Sequence, residues 1–218
     1  MLGTTGLVSY WRLGDHSGST AIDSKGANAG TYAGGFTLGV AGALLGDADT
    51  ASSFDGSSGR VALPNTASLN LTGDLTLEAW VKPSVVDNNA RAVVAKAGTA
   101  ASAANRQFRL GLTNGQWRGT LWDTSGGTYN AIAATAPAAG TWQHVVLTVS
   151  GSSLTIYVNG VQSGTATFSG TRNAASSGSA IARLSDGSRE FFAGTVDEVA
   201  IYNVGLTAAQ VQAHYSAR

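Results

Sequence analysis

Residues 140–160 read GTWQHVVLTVSGSSLTIYVNG, and their alternation decides the fold. Gln143, Val145, Leu147 and Val149 fall on one side of an extended chain, and Trp142, His144, Val146 and Thr148 on the other. After a Ser-Gly-Ser-Ser turn, Leu154, Ile156 and Val158 again share a side, so the stretch predicts two paired antiparallel strands. Asn159-Gly160 then supplies the positive φ of a tight hairpin turn, as does Asn114-Gly115 further back. Working outward, about eleven such runs follow one another: 7–13, 59–63, 75–81, 92–96, 107–112, 116–122, 142–149, 153–158, 164–168, 180–184 and 195–202. Helical periodicity is nearly absent between them, which predicts an all-β fold of two antiparallel sheets and argues against βαβ units. One helix is expected at the end. Thr207 and Gln210 form a capping box, Val211 and Tyr215 share a face, and the helix should stop near Ala217. Segments 100–105, 124–139 and 170–179, rich in Ala, Ser and Gly, read as loops.

The 218 residues suit one sandwich domain over 1–218, and without Cys no disulfide framework exists. Lys plus Arg number 13 and Asp plus Glu 13, with charged residues at 12%, so the basic stripe that binds nucleic acid is missing. No apolar run approaches the ~20 residues that cross a bilayer, and the opening MLGTTGLVSYW lacks the form of a signal peptide. A neutral surface of Ser, Thr, Gly, Ala and Asn leans towards an extracellular setting and neutral polar partners.

Five segments, in order, resemble the laminin-G-like jelly-roll domain of the concanavalin-A-like lectin and glucanase superfamily. They are LVSYW at 7–11 with Asp15 and AIDSKG at 21–26; SFDG at 53–56; LTLEAWVKP at 75–83; GTWQHV at 140–145 running to Asn159-Gly160; and GTVDEVAIYN at 194–203 with Leu206-Thr207. The resemblance implies a jelly-roll sandwich that serves as one module of a long secreted or surface-anchored protein. It departs at 36–50 and in the Ala-rich stretch 99–105. It further implies a structural calcium ion held by Asp23, Asp55 and Asp197, with Asp15 as a further candidate. The alternative is that Asp55 makes a turn with Gly56 and Asp197 is a hydrogen-bonded strand carboxylate. A second loop set, Asp87-Asn88-Asn89 and Asp186-Gly187, resembles a pentraxin-type calcium and ligand site.

For catalysis the sequence offers little. Glu occurs only at 78, 190 and 198, none in the Glu-x-Asp-x-Glu pattern of the superfamily's glucanases, and no Gly-x-Ser-x-Gly elbow is present. Asp197 and Glu198, as strand neighbours, should face opposite ways and make no acid pair. For ligand binding, parity sets Arg109 opposite the inward Phe108, Leu110 and Leu112, and puts Arg118, Thr120 and Trp122 together on one side of their strand, so Arg109, Arg118 and Trp122 are expected to line one exposed sheet. Trp11, Trp80 and Trp142 are read as core, and His144 as a packed, hydrogen-bonded residue. The expected function is a non-catalytic, calcium-stabilised module that binds a glycan or a surface protein weakly and multivalently. The rivals are a spacer or protein-binding module without a sugar site and, last, a diverged glycosidase.

Overall fold

The computed structural model describes residues 1–98, 105–185 and 189–218. Its strands, in chain order, begin with β1 (Leu7–Trp11), β2 (Thr20–Ala21), β3 (Gly30–Ala33), β4 (Phe36–Ala41), β5 (Thr50–Asp55), β6 (Arg60–Leu63), β7 (Leu75–Pro83) and β8 (Arg91–Ala97). They continue with β9 (Arg106–Thr113), β10 (Gln116–Trp122), β11 (Thr128–Ile132), β12 (Gln143–Ser150), β13 (Ser153–Val158), β14 (Val161–Thr167), β15 (Ser179–Ile181) and β16 (Ala193–Tyr202). The helix α1 (Ala208–Ser216) closes the chain. Among the described residues these strands make two antiparallel sheets. The first runs β14-β13-β12-β7-β16-β5-β4, with β1 also on β16, and the second β11-β10-β9-β8-β15-β6-β3-β2.

The deciding stretch folds as its alternation requires. Val145 pairs with Val158 and Leu147 with Ile156, and Asn159 and Gly160 take φ of 53° and 78° at the turn. Asn114 and Gly115, at 51° and 68°, turn β9 into β10 in the same way. Strands β2 to β5 and β11 go beyond the expected runs. They are short or rich in small and polar residues, so little in the sequence marks them, although β2, β4 and β11 each pair only with the neighbouring β3, β5 and β10. In β11, within a stretch read as loop, Ala131 enters the core and Tyr129 packs against it.

Inward residues of both sheets form one core, including Trp11, Leu77, Phe108, Trp117, Leu147, Ile156 and Ile201. Each such side chain contributes about 1.5–3 kcal/mol by leaving water. The sheets approach closely at Gly119, where a Cβ would stand 2.4 Å from a Leu147 methyl, so only glycine fits there without repacking.

The outer face of the first sheet is covered by α1. Thr207 caps the helix in the expected box with Gln210, and Val211 enters a second cluster with Tyr10, Val146, Tyr157, Tyr202 and Leu206. Trp80 is buried under this cover and not in the inter-sheet core: its ring lies 5.7 Å from that of Tyr215, with the Arg218 guanidinium 5.3 Å from its centroid. At the centre stands Glu78, fully buried, whose Oε1 lies 2.7 Å from His144 Nε2 while Oε2 lies 3.0 Å from His214 Nδ1 on the helix. Burial pushes its pKa upward, but the two imidazole hydrogen bonds outweigh it and hold the group at about 2. This carboxylate therefore latches α1 to the sheet. Its contribution is present above the unfolded value near 4.5 and is lost as pH falls through about 2.

Replacing Glu78 with Ala leaves the buried His144 imidazole and the partly buried His214 imidazole without their acceptor. We expect a loss of about 3–5 kcal/mol by urea unfolding, with faster amide exchange across 208–216; a loss below about 1 kcal/mol would contradict the latch.

Candidate ligand-binding site

The four nominated metal ligands do not converge. Asp23, buried beside Trp11, accepts three backbone N–H bonds, from Tyr10, Lys25 and Asn28, each at 2.9 Å. Asp55 accepts the N–H groups of Ser57, Ser58 and Gly59 at 2.8–2.9 Å and both serine hydroxyls at 2.8 Å. Burial works upward on its pKa, and these donors overcome it and hold the carboxyl well below the usual range. Asp15 accepts from the Tyr32 hydroxyl at 3.0 Å, and Asp197 from Ala43 N–H at 2.8 Å. Calcium takes six to eight oxygens with free lone pairs, whereas two of these carboxylates are spent on their own turns. Among the described residues no three His, Cys, Asp or Glu side chains are placed to hold a metal. The calcium expectation is therefore corrected, and the turn-forming alternative describes Asp55.

The strand is irregular at Asp197 and Glu198, although their carboxyl groups meet different partners, Ala43 N–H and Arg12. A bulge shifts the register of β16 on β7 between Asp197 and Ala200, and Glu198 takes φ of 51°, so strict alternation fails there. Both carboxyl groups are buried near Arg12, whose Nε lies 3.0 Å from Glu198 Oε1. Burial raises each pKa to about 7. Arg12 also meets Asp47 at 2.6 Å and Asp49 at 2.8 Å, in the segment that precedes β5.

Beside this node lies an open cleft of about 450 Å³, lined by Arg12, Asp15, His16, Ser17, Ile22 and Asp49 among others. Its back wall forms because the chain leaves β1 through Leu13, at φ 59°, whose side chain stays in the core. Ser52 Oγ donates to Leu13 O at 2.9 Å, and Gly14 presses so close to Asp49 that a Cβ would stand 1.8 Å from Oδ1. His16, Ser17 and Thr20 are exposed, and Ile22, 61% exposed, gives an apolar wall. Carboxylates, hydroxyls and an imidazole around one apolar wall can exchange hydrogen bonds with a polyol. Of this set, Asp15 alone is a site candidate by sequence. Asp49 lies in the 36–50 segment, which matched no family motif, and Arg12 closes a strand without a motif of its own.

The expected open sheet is in fact roofed. Arg109 and Thr120 are register partners, so Arg109, Arg118 and Trp122 do share the outer face of the second sheet. Yet Arg109 is 4% exposed, paired with Glu190 at 2.6 Å, and Trp122 is 9% exposed, packed against Ala92, Ala95, Ala97 and Leu184. Leu184 and Glu190, the latter held by a hydrogen bond from Ala92 N–H to its carbonyl at 2.8 Å, cover this part of the face. Arg118 is half-buried. Asp87 is taken by Arg91, at 2.7 Å, which with Asn89 holds its pKa near 2; Asn88 is exposed, and Asp186 lies outside the described residues.

The laminin-G-type profile of the concanavalin A-like lectin/glucanases superfamily matches residues 55–212, and the chain belongs to that family. No curated protein matches it in sequence. Among solved structures it is similar to domain 4 of AbnA, an extracellular arabinanase of Geobacillus stearothermophilus, in complex with arabinotriose: 20% identity, TM-score 0.66, covering 95% of this chain and 97% of that one. It is also similar to the binding domain of botulinum neurotoxin DC, at 12% identity and TM-score 0.73 over 98% of this chain and 52% of that one. The sialidase of Trypanosoma rangeli shares 17% identity and TM-score 0.68 over 98% of this chain, which spans a third of it, 33%. These likenesses establish the fold, on which the superfamily carries both binding and catalytic members.

Two outcomes follow from the carboxylates. Calcium and EDTA should each leave the melting temperature in place, whereas Asp55→Ala should lower it by several degrees; a chelator-induced drop would restore a metal. Because Asp197 and Glu198 are raised to about 7, their stabilising contribution is full below about pH 4 and lost as pH rises through 7. The melting temperature should therefore fall by at least ~3 °C from pH 5.5 to 8.5, and Asp197→Asn should flatten that slope; an equal slope in the variant would refute the assignment.

Proposed function

We propose that this chain is a non-catalytic carbohydrate-binding module of a larger secreted or surface protein, and that it receives a neutral glycan in the cleft of Arg12, Asp15, His16 and Asp49. The observation that carries this reading is the cleft itself: about 450 Å³ is a ligand-sized volume, and its lining matches sugar hydroxyls on a fold of the lectin superfamily. The arabinotriose complex of the similar arabinanase domain supports a neutral oligosaccharide. The carboxyl chemistry supports binding over hydrolysis. A glycosidase needs a general acid of raised pKa in the cleft beside a second carboxylate. Here the raised pair, Asp197 and Glu198, is buried outside the cleft lining, while Asp49 is ion-paired with Arg12 and Asp15 is bonded to Tyr32. An open cleft without an aromatic platform suits weak affinity. A millimolar site is worth about −4.1 kcal/mol, and useful avidity would come from multivalent display.

A glycan array probed with the multimerised chain should give hits among neutral oligosaccharides. Asp15→Ala and His16→Ala should each weaken them about tenfold, while Arg118→Ala on the other sheet leaves them unchanged. Silence across the array, or turnover of any glycan, would sink the proposal.

A further inference from the structure

Part of the second sheet's outer face stays open beside its roof. Gln116 and Ile132 are exposed there, and Arg118 and Asn130 are half-buried. Arg118 and Ile132 are register partners, as are Thr120 and Asn130, so Arg118 and Asn130 are diagonal neighbours on β10 and β11. Diagonal neighbours on one face stand about 7–8 Å apart, within reach of long side chains. The strip lies far from the cleft: β11 and β2 are the two ends of this sheet, and Thr20 of β2 lines the cleft.

Both half-buried side chains offer donors that nothing receives. Thr120 Oγ1 donates to Asn130 Oδ1 at 2.9 Å, which leaves the amide Nδ2 as the free end. Arg118 makes no ion pair and no hydrogen bond among the described residues. Its Nε is buried, while its two terminal nitrogens remain open to solvent. A cation partly withdrawn from water and left unpaired is costly, so a fixed acceptor lowers its energy.

The surrounding charges select that acceptor. Arg109, diagonal to Arg118 on β9, sends its terminal nitrogens to Leu112 O and Thr113 Oγ1 and its Nε to Glu190. Burial pushes the Arg109 pKa down, Glu190 opposes this, and the like charge of Arg118 adds to it. Glu190 is thus committed to Arg109. Asp87, before β8, pairs with Arg91, and Asp123, after β10, accepts the N–H groups of Ser125 and Gly127. Two guanidinium groups therefore share one carboxylate, and the second is left for an outside anion. We propose that Arg118 and Asn130 bind the carboxylate of a uronate sugar. The guanidinium fork takes both oxygens, Asn130 Nδ2 donates to one of them, and Ile132, 39% exposed, supports the C–H face of the ring. Exposed Gln116, two residues before Arg118 on the same face, meets ring hydroxyls. One apolar side chain among neutral amides suits a sugar ring better than an extended peptide, which docks along a free strand edge.

The test titrates the chain with trigalacturonate, its methyl ester, sodium acetate and hexaglutamate, read by NMR shifts. Trigalacturonate should perturb Arg118, Asn130 and Ile132 and bind at least about tenfold tighter than its methyl ester. Its affinity should fall as salt is raised. Arg118→Ala should lose at least about tenfold, and Arg118→Lys, which keeps the charge without the fork, should recover little of it. Lys25→Ala, which removes an exposed cation elsewhere, should lose nothing. Because Arg118 has no partner in the chain, its replacement should leave the melting temperature in place, so lost binding is not lost folding. None of these readouts uses a neutral glycan, so this site and the cleft stand or fall separately. Equal binding of the methyl ester, or unchanged affinity in Arg118→Ala, overturns the site. Acetate or hexaglutamate binding as tightly as trigalacturonate overturns the saccharide source.

Discussion

One guanidinium organises the edge of this sandwich where the proposed glycan cleft lies. Arg12, at the end of the first strand, bonds carboxylates from the 47–49 turn and from the bulged last strand, and so ties three distant segments together. Exposed ion pairs contribute at most about 1 kcal/mol each. The Glu198 contact differs, because its carboxylate is buried and would otherwise lose a partner. Arg12 also lines both the cleft and, on its other side, a groove with Met1, Leu2, Tyr10, Leu44 and Asp47.

That edge matters because much of the broad faces is closed. Helix α1 covers the first sheet through Glu78, Trp80 and Val211. On the second sheet, Thr31, Ala62, Ala180, Ala95, Arg109, Thr120 and Asn130 stand in one register row across the strands. Ala95 of that row, with Ala92 and Ala97 on the same strand, leaves room for a segment to lie close, and Leu184 and Glu190 supply the roof. Small side chains in a row made this cover possible, and the cover is what buried Arg109 and Trp122.

Local rules carried the sequence reading a long way. Alternation around 140–160 placed a hairpin, Asn-Gly pairs placed two turns, and a capping box placed the helix, because each depends on residues within a few positions of one another. The strands it missed, such as Gly30–Ala33 and Thr50–Asp55, have weak alternation and exist through partners far along the chain. The site was less legible. Parity correctly put Arg109 and Trp122 on one face, but parity says nothing about what folds over a face. Nor does it foresee the irregular strand at Asp197-Glu198, where a left-handed residue interrupts the pleat.

By itself, then, the order of residues determined an all-β sandwich of this superfamily with a capped terminal helix, since periodicity and turn chemistry act over short range. Only the tertiary structure decided the state of the carboxyl groups. Asp23 and Asp55 turned inward to backbone N–H groups, Asp197 and Glu198 were raised by burial, and Asp49 was brought to Arg12. Desolvation and ion pairing depend on which segments meet in space, and no spacing along the chain records that.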